Sequence, residues 1–306
     1  GLAYLARAQR SDGSFRNTRF QVAAQGLVGL AFLANGHTPR FGPYAKTLRL
    51  GLRRLLAYQR SDGYFDDGGF SRMYGHGFAT LYLAQVLGMW GAPDEEVKIR
   101  KALVKAIRLI ESSQDQYGGW DYDPYERGAS DCSITVCQTM ALRGARNIGI
   151  YVDERVVKRA LDYVRRAQDQ SGGFRYRLSL GRRSGLWVTP GCTAAGVCIL
   201  NGLGEYDTER VRRGLSYLRQ RRRSFFSRAP FAFFYYTRYY AVQAFYASGA
   251  PDWKQYYNEV AQELLREQRE DGSWFCSHEG GIIPPTAMAV FTLAVPRAVL
   301  PIVQRE

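Results

Sequence analysis

The chain has 306 residues, 46% hydrophobic and 23% charged, enough to bury one large core or two ordinary ones. No window is apolar over the roughly eighteen residues a membrane-spanning helix needs, and five cysteines without a C-x-x-C pair argue against a disulfide framework or a zinc ribbon. A net charge of +14 favours anionic partners such as phosphate groups, an acidic membrane surface or nucleic acid, or else a solvated basic surface.

The first element, "GLAYLARAQ", already reads as helix, so the natural N-terminus is expected upstream of Gly1; no signal peptide is visible. It runs into "QRSDGSF" at Gln9, and the same form returns as "QRSDGYF" at Gln59, "QDQYGGW" at Gln114, "QDQSGGF" at Gln168 and "QREDGSW" at Gln268. Successive starts differ by 50, 55, 54 and 100 residues, and the double gap contains "YLRQRRRSFF", a degenerate copy with Gln220 near its middle. The chain therefore reads as six units of about fifty residues.

Each unit has one grammar. An amphipathic segment precedes the glutamine, as in "VKIRKALVKAIRLIESSQ" (Val97 to Gln114). Glycine and an aromatic then stop the helix. A polar loop follows, and after it a more apolar segment rich in small residues. In chain order these are "QVAAQGLVGLAFLANG", "GFATLYLAQVLG", "SITVCQTMALRGARN", "TAAGVCILNGLG", "TRYYAVQAFYASG" and "TAMAVFTLAV". One charged and one apolar helix per unit predicts two concentric rings, an all-α (α/α)6 toroid forming a single domain over 1–306. An open solenoid is the alternative, but it would expose an apolar face at each end.

The recurring pattern R-x-L-x-Y-L-x-x-x-Q-x-x-D-G-S-F/W resembles the repeat of squalene and oxidosqualene cyclases and of protein prenyltransferase β subunits, over essentially the whole chain. The resemblance implies the toroid and, less specifically, an isoprenoid or other lipid in a central aromatic cavity. The repeat glutamines read as structural, bridging polar groups at adjacent helix ends.

Function is expected at the cavity mouth, where six inner-helix N-termini carry partial positive charge. The residues there are Arg19 and Phe20; Tyr74 and His76; Asp131 to Ser133; Cys192 and Thr193; Tyr235 to Thr237; and Pro285 and Thr286. In "GGWDYDPYERGASDCSITV" (Gly118 to Val136), the end aligns with the D-x-D-D-T-A motif of squalene-hopene cyclases. Asp131 matches its first Asp and Thr135 its Thr, but Ser133 stands where the proton donor is expected and Ile134 where the last Asp is. A serine hydroxyl is far too weak an acid to protonate an alkene, so the family's route of catalysis is not expected here. Asp131 and Asp123 are the candidate acids, with Ser130 or Asp131 also a good N-cap for the following helix.

"YGHGFATL" (Tyr74 to Leu81) resembles the diphosphate-binding segment of the prenyltransferases, which makes His76 a candidate contact. Their zinc ligands have no counterpart: the Asp-x-Cys pair is collapsed to Asp131-Cys132, so neither metal nor cofactor is expected. Candidate substrate-binding residues are His76, Tyr74, Arg127, Ser133, Cys192, Tyr235, Tyr236 and Arg238. "PFAFFYYTRYYAVQAFY" (Pro230 to Tyr246) adds nine aromatics, which either line an isoprenoid cavity or fill it.

Three readings follow: an isoprenoid- or lipid-handling protein, with peripheral membrane contact or a partner chain; a non-catalytic binding or scaffold toroid; and a carbohydrate enzyme. No specific nucleic-acid motif is present. A long apolar ligand in the centre favours the first, a bore plugged by Tyr and Phe opposes it, and converging carboxylates favour sugars.

Overall fold

The computed structural model describes residues 1–16, 18–69, 71–126, 128, 130–178, 187–221 and 233–305. Among them are twelve α-helices that alternate between an outer and an inner ring. The outer helices are α1 (Leu2–Ala8), α3 (Ala45–Ala57), α5 (Pro93–Ser113), α7 (Glu154–Ala167), α9 (Glu209–Arg221) and α11 (Trp253–Glu267). The inner helices are α2 (Gln21–Ala34), α4 (Arg72–Val86), α6 (Cys132–Asn147), α8 (Pro190–Gly202), α10 (Phe234–Ala247) and α12 (Ile283–Ala294). A two-stranded antiparallel ribbon, β1 (Phe174–Arg175) with β2 (Val188–Thr189), precedes α8. No helix is long and apolar enough to cross a membrane, among the described residues.

Composition sorts the two rings. Outer α7 buries one stripe, Val156, Ala160, Tyr163, Val164 and Ala167, and exposes its charges. Inner α2 is buried from Val22 to Ala34 without a break, because it is covered on all sides. Each inner helix packs on the next, and α12 packs back on α2, so the ring is closed. Outer α1 lies against both α12 and α2 and joins the chain's beginning to its end. Small residues set the spacing of the inner ring: a Cβ on Gly26 would lie 2.6 Å from the Phe78 carbonyl carbon, and one on Gly77 2.6 Å from Cys137 Cβ.

The turns are the rivets between the rings. Gln59 Nε2 donates to the Gly63 and Ala102 carbonyls, Gln114 to Gly118 and Val156, and Gln168 to Gly172 and Arg210. Each glutamine thus ties its own turn to the next outer helix and satisfies carbonyls that would otherwise be unpaired. Gly118 is confined to glycine twice over, by a φ of +93° and by the Arg159 carbonyl oxygen 2.3 Å from where a Cβ would stand. The turn expected after Gln220 falls in 222–232, outside the described residues.

Candidate functional site

The aromatic of each turn shows what the residue at the start of the inner helix does. The Phe65 amide donates to His76 Nδ1, that of Trp120 to Thr135 Oγ1, that of Phe174 to Thr193 Oγ1 and that of Trp274 to Thr286 Oγ1. His76 is therefore the second repeat's counterpart of three threonines. Its Nε2 lies 3.2 Å from the Ala106 carbonyl, and its ring packs on Tyr64 and Phe65. Burial lowers its pKa to about 4, so the imidazole is neutral, with Nε2–H donating to Ala106 and Nδ1 accepting. The expected rim contact thus lies between the rings, away from the mouth.

Four of the six inner-helix N-termini are not open anion seats either. Asp67 Oδ2 accepts from the Val22 amide at the start of α2, and Asp131 Oδ1 from Ser133 at the start of α6. Thr189 Oγ1 accepts from Cys192 at the start of α8, and Glu279 from the Tyr235 and Tyr236 amides at the start of α10. The protein's own oxygens take the positions an anionic head group would use. Arg238 points the other way from expectation: it forms a buried 2.8 Å ion pair with Glu263 on outer α11 and stacks on Phe234. Cys192 is buried, and its carbonyl lies 3.5 Å from Cys132 Sγ. Arg127 lies outside the described residues. Asp123 accepts from the Tyr125 amide and shapes a loop turn.

The axis of the ring is filled. Phe78 on α4 and Tyr239 on α10, on opposite sides, meet edge to face with centroids 6.1 Å apart. Tyr239 also packs on Tyr240 and Phe291, and Tyr240 on Tyr236. Above them Tyr74 reaches Tyr236, again from opposite helices, and the Tyr236 hydroxyl donates to the Ser133 carbonyl. Phe78, Tyr239, Tyr240 and Phe291 are all at most 3% exposed. The expectation of an aromatic-lined cavity becomes an aromatic plug.

At the mouth, among the described residues, Asp131 anchors a polar cluster. Asp131 Oδ1 accepts from the Ser133 amide at 2.8 Å and from its hydroxyl at 2.5 Å, and that hydroxyl meets the Tyr74 hydroxyl. Asp131 Oδ2 is 3.7 Å from Arg177 Nε, while Arg177 also pairs with Asp121 at 3.3 Å. The Tyr122 and Tyr176 hydroxyls, 2.5 Å apart, stand beside them, and both rings face the Arg177 guanidinium. Burial raises the Asp131 carboxyl above its usual pKa, opposed by its hydrogen bonds and by Arg177. The structure brings together Asp131, Ser133, Tyr74 and Tyr236 and leaves out His76, Arg238 and Asp123. Sequence reasoning missed Arg177, Tyr122 and Tyr176, which sit in irregular loops where no periodicity marks them. Asp121 and Asp131 share Arg177 as a basic partner. Among the described residues no three His, Cys, Asp or Glu side chains gather to hold a metal ion.

No protein-family model and no curated protein matches this sequence. Solved structures do. A variant of the type II terpene cyclase MstE from Scytonema, in complex with geranylgeranyl dihydroxybenzoate, superposes with a TM-score of 0.64 at 15% identity, over 96% of this chain and 94% of that one. The α-1,6-mannanase GH76A of Salegentibacter sp. HEL1_6 gives 0.66 at 8% identity over 97% and 98%. An α-amylase from Clostridium perfringens gives 0.63 at 9% over 95% of each. At these identities the likeness is one of fold: the chain is an α/α toroid, like the terpene cyclase and the mannanase.

Proposed function

We propose that this α/α toroid is a non-catalytic binding or scaffold protein. The contact between Phe78 and Tyr239 across the ring axis carries the reading, because the volume a hydrocarbon chain would need holds the protein's own rings. Ser133 supports it: neither a hydroxyl nor its Tyr74 partner can protonate an alkene. At α2, α6, α8 and α10 the protein's own oxygens occupy the helix N-termini, which leaves those four without a preformed diphosphate seat. The net charge of +14 makes an anionic surface, including a membrane, the natural partner.

A second reading, binding of an isoprenoid or other lipid, is favoured by one observation. Tyr74 is only half-buried and holds the top of the plug through hydroxyl and ring contacts alone, with Asp131 and Ser133 ready to meet a polar head. An isoprenyl tail would then enter by displacing Tyr74 and Tyr236. Purified protein is extracted for lipid mass spectrometry and incubated with squalene and with a geranylgeranylated phenol. The expected result is neither a stoichiometric lipid nor a cyclised product. A retained isoprenoid near one per chain establishes the second reading, and a cyclised product overturns the first.

A further inference from the structure

The end of the chain turns into the ring from the side opposite the mouth. After α12, Val295–Arg297 make one 3-10 turn, Ala298 takes a left-handed φ of 48°, and Pro301–Val303 make a second 3-10 turn. This bend puts Leu300, Ile302 and Val303 inside, each at most 5% exposed. Ile302 and Val303 meet Arg143, Cys198, Asn201 and Gln243 at the C-terminal half of the inner ring, around a cavity of about 10 Å³. That volume is no more than one water occupies.

The manner of attachment is distinctive. Arg143 on α6 donates to the Ile302 carbonyl at 3.4 Å and to the Gln304 carbonyl at 2.6 Å. Gln85 on α4 accepts from the Ile302 amide at 3.4 Å. Backbone-to-backbone bonds of the segment stay within it: Ala298 to Val295, Val303 to Leu300 and Gln304 to Pro301. It adds nothing to the hydrogen-bond ladder of any inner helix. Side chains of the ring read its main chain, and a pocket takes its aliphatic side chains, as a protein holds a peptide ligand. Arg143 also suits its place, since the inner helices end there with partial negative charge.

We propose that the lower bore is a peptide-binding socket, filled in cis by Leu300–Gln304, which leaves and re-enters while the ring stays folded. The socket's ligand class is a short aliphatic turn whose carbonyls face Arg143. This does not depend on what the mouth binds.

The chain's own thiols report the opening. All three thiols are buried, but Cys198 lines the socket, whereas Cys132 and Cys137 lie in the upper half of α6. The full chain is treated with an alkylating reagent and the labelled cysteines are resolved by peptide mass spectrometry. Cys198 is expected to react at least about tenfold faster than Cys132 and Cys137, because local opening needs less free energy than unfolding. Ile302→Asp should raise the Cys198 rate by a further factor of about ten or more at unchanged helical circular dichroism. A capped peptide of residues 298–305 should then restore protection saturably, and the same peptide carrying the substitution should not. Equal labelling of all three thiols in the unaltered chain overturns the proposal whether or not the variant folds, and so does a peptide that fails to protect Cys198 in a folded variant.

Discussion

The second and third repeats carry the same turn and part company just beyond it. In both, the glutamine amide binds its turn carbonyl and a carbonyl of the next outer helix. In both, the aromatic amide is received by a side chain of the inner helix, His76 in one and Thr135 in the other. The acids then differ. Asp67 turns sideways and caps α2 of the preceding repeat, whereas Asp131 caps its own α6 and connects through Ser133 to Tyr74. A repeat protein thus carries its own internal alignment. A feature that recurs holds the ring, and a feature that occurs once is where function has room to be. By that rule His76 is a fastener, and the Asp131–Ser133–Tyr74 chain is not.

The largest effect should come from breaking a fastener. Trp120 is 1% exposed, and its indole N–H donates to the Ile110 carbonyl at 2.7 Å. Trp120→Ala should cost roughly 3–5 kcal/mol by chemical denaturation. A loss below about 1 kcal/mol would show that the turn aromatic does not pin the rings together.

Acid should distinguish the second repeat next. His76 is held neutral with a pKa of about 4 against an ordinary 6.5. Below pH 6.5 the unfolded chain takes up a proton that the folded chain refuses. Stability is therefore unaffected by this group above pH 6.5 and falls from there down to about pH 4, by roughly 3 kcal/mol in all. His76→Thr, which installs the residue used by three other repeats, should flatten that acid limb. An unchanged limb would mean that His76 is not the group that titrates.

Gln114→Ala removes the bridge common to the repeats. The Gly118 and Val156 carbonyls, each 2.9 Å from Gln114 Nε2, lose a donor, at a cost of about 1–3 kcal/mol. Gln59→Ala should match it, because the second repeat makes the same two bonds. Unequal losses would break the equivalence of the two repeats.

How much of this could be read beforehand follows the same division. The ring was legible because a fifty-residue period, a glutamine and a glycine-aromatic turn each have a local physical cause. A cap at Ser130 or Asp131 was legible for the same reason, and the structure gives it to Asp131. His76 was misplaced because the side of a helix that a residue faces depends on where the outer helix lies, and the position alone suggested the mouth. Arg238 was misplaced likewise, since its partner Glu263 comes 25 residues later on another ring. Whether nine aromatics line a cavity or fill it depends on packing across the axis, which no local pattern encodes. The C-terminal plug escaped because Leu300–Gln304 looks like any irregular tail until Arg143 is seen to hold it.

The smallest effect on stability, and the sharpest test of the comparison, is Asp131→Asn. The cap needs only one oxygen, the one that accepts from Ser133 at 2.8 Å, and asparagine caps about as well as aspartate. Burial disfavours the ionised carboxylate, so removing its charge is not a loss near neutral pH, and the change in stability should stay within about 1 kcal/mol. The pH dependence has the sign opposite to that of His76. A carboxyl whose folded pKa is raised keeps its proton longer in the folded chain, so acidification through that pKa stabilises the fold, and the asparagine variant lacks this gain. If the variant folds with unchanged stability and loses binding to whatever partner the mouth selects, the once-only feature is functional. If it unfolds, Asp131 belongs with the fasteners, and the third repeat is no different in kind from the second.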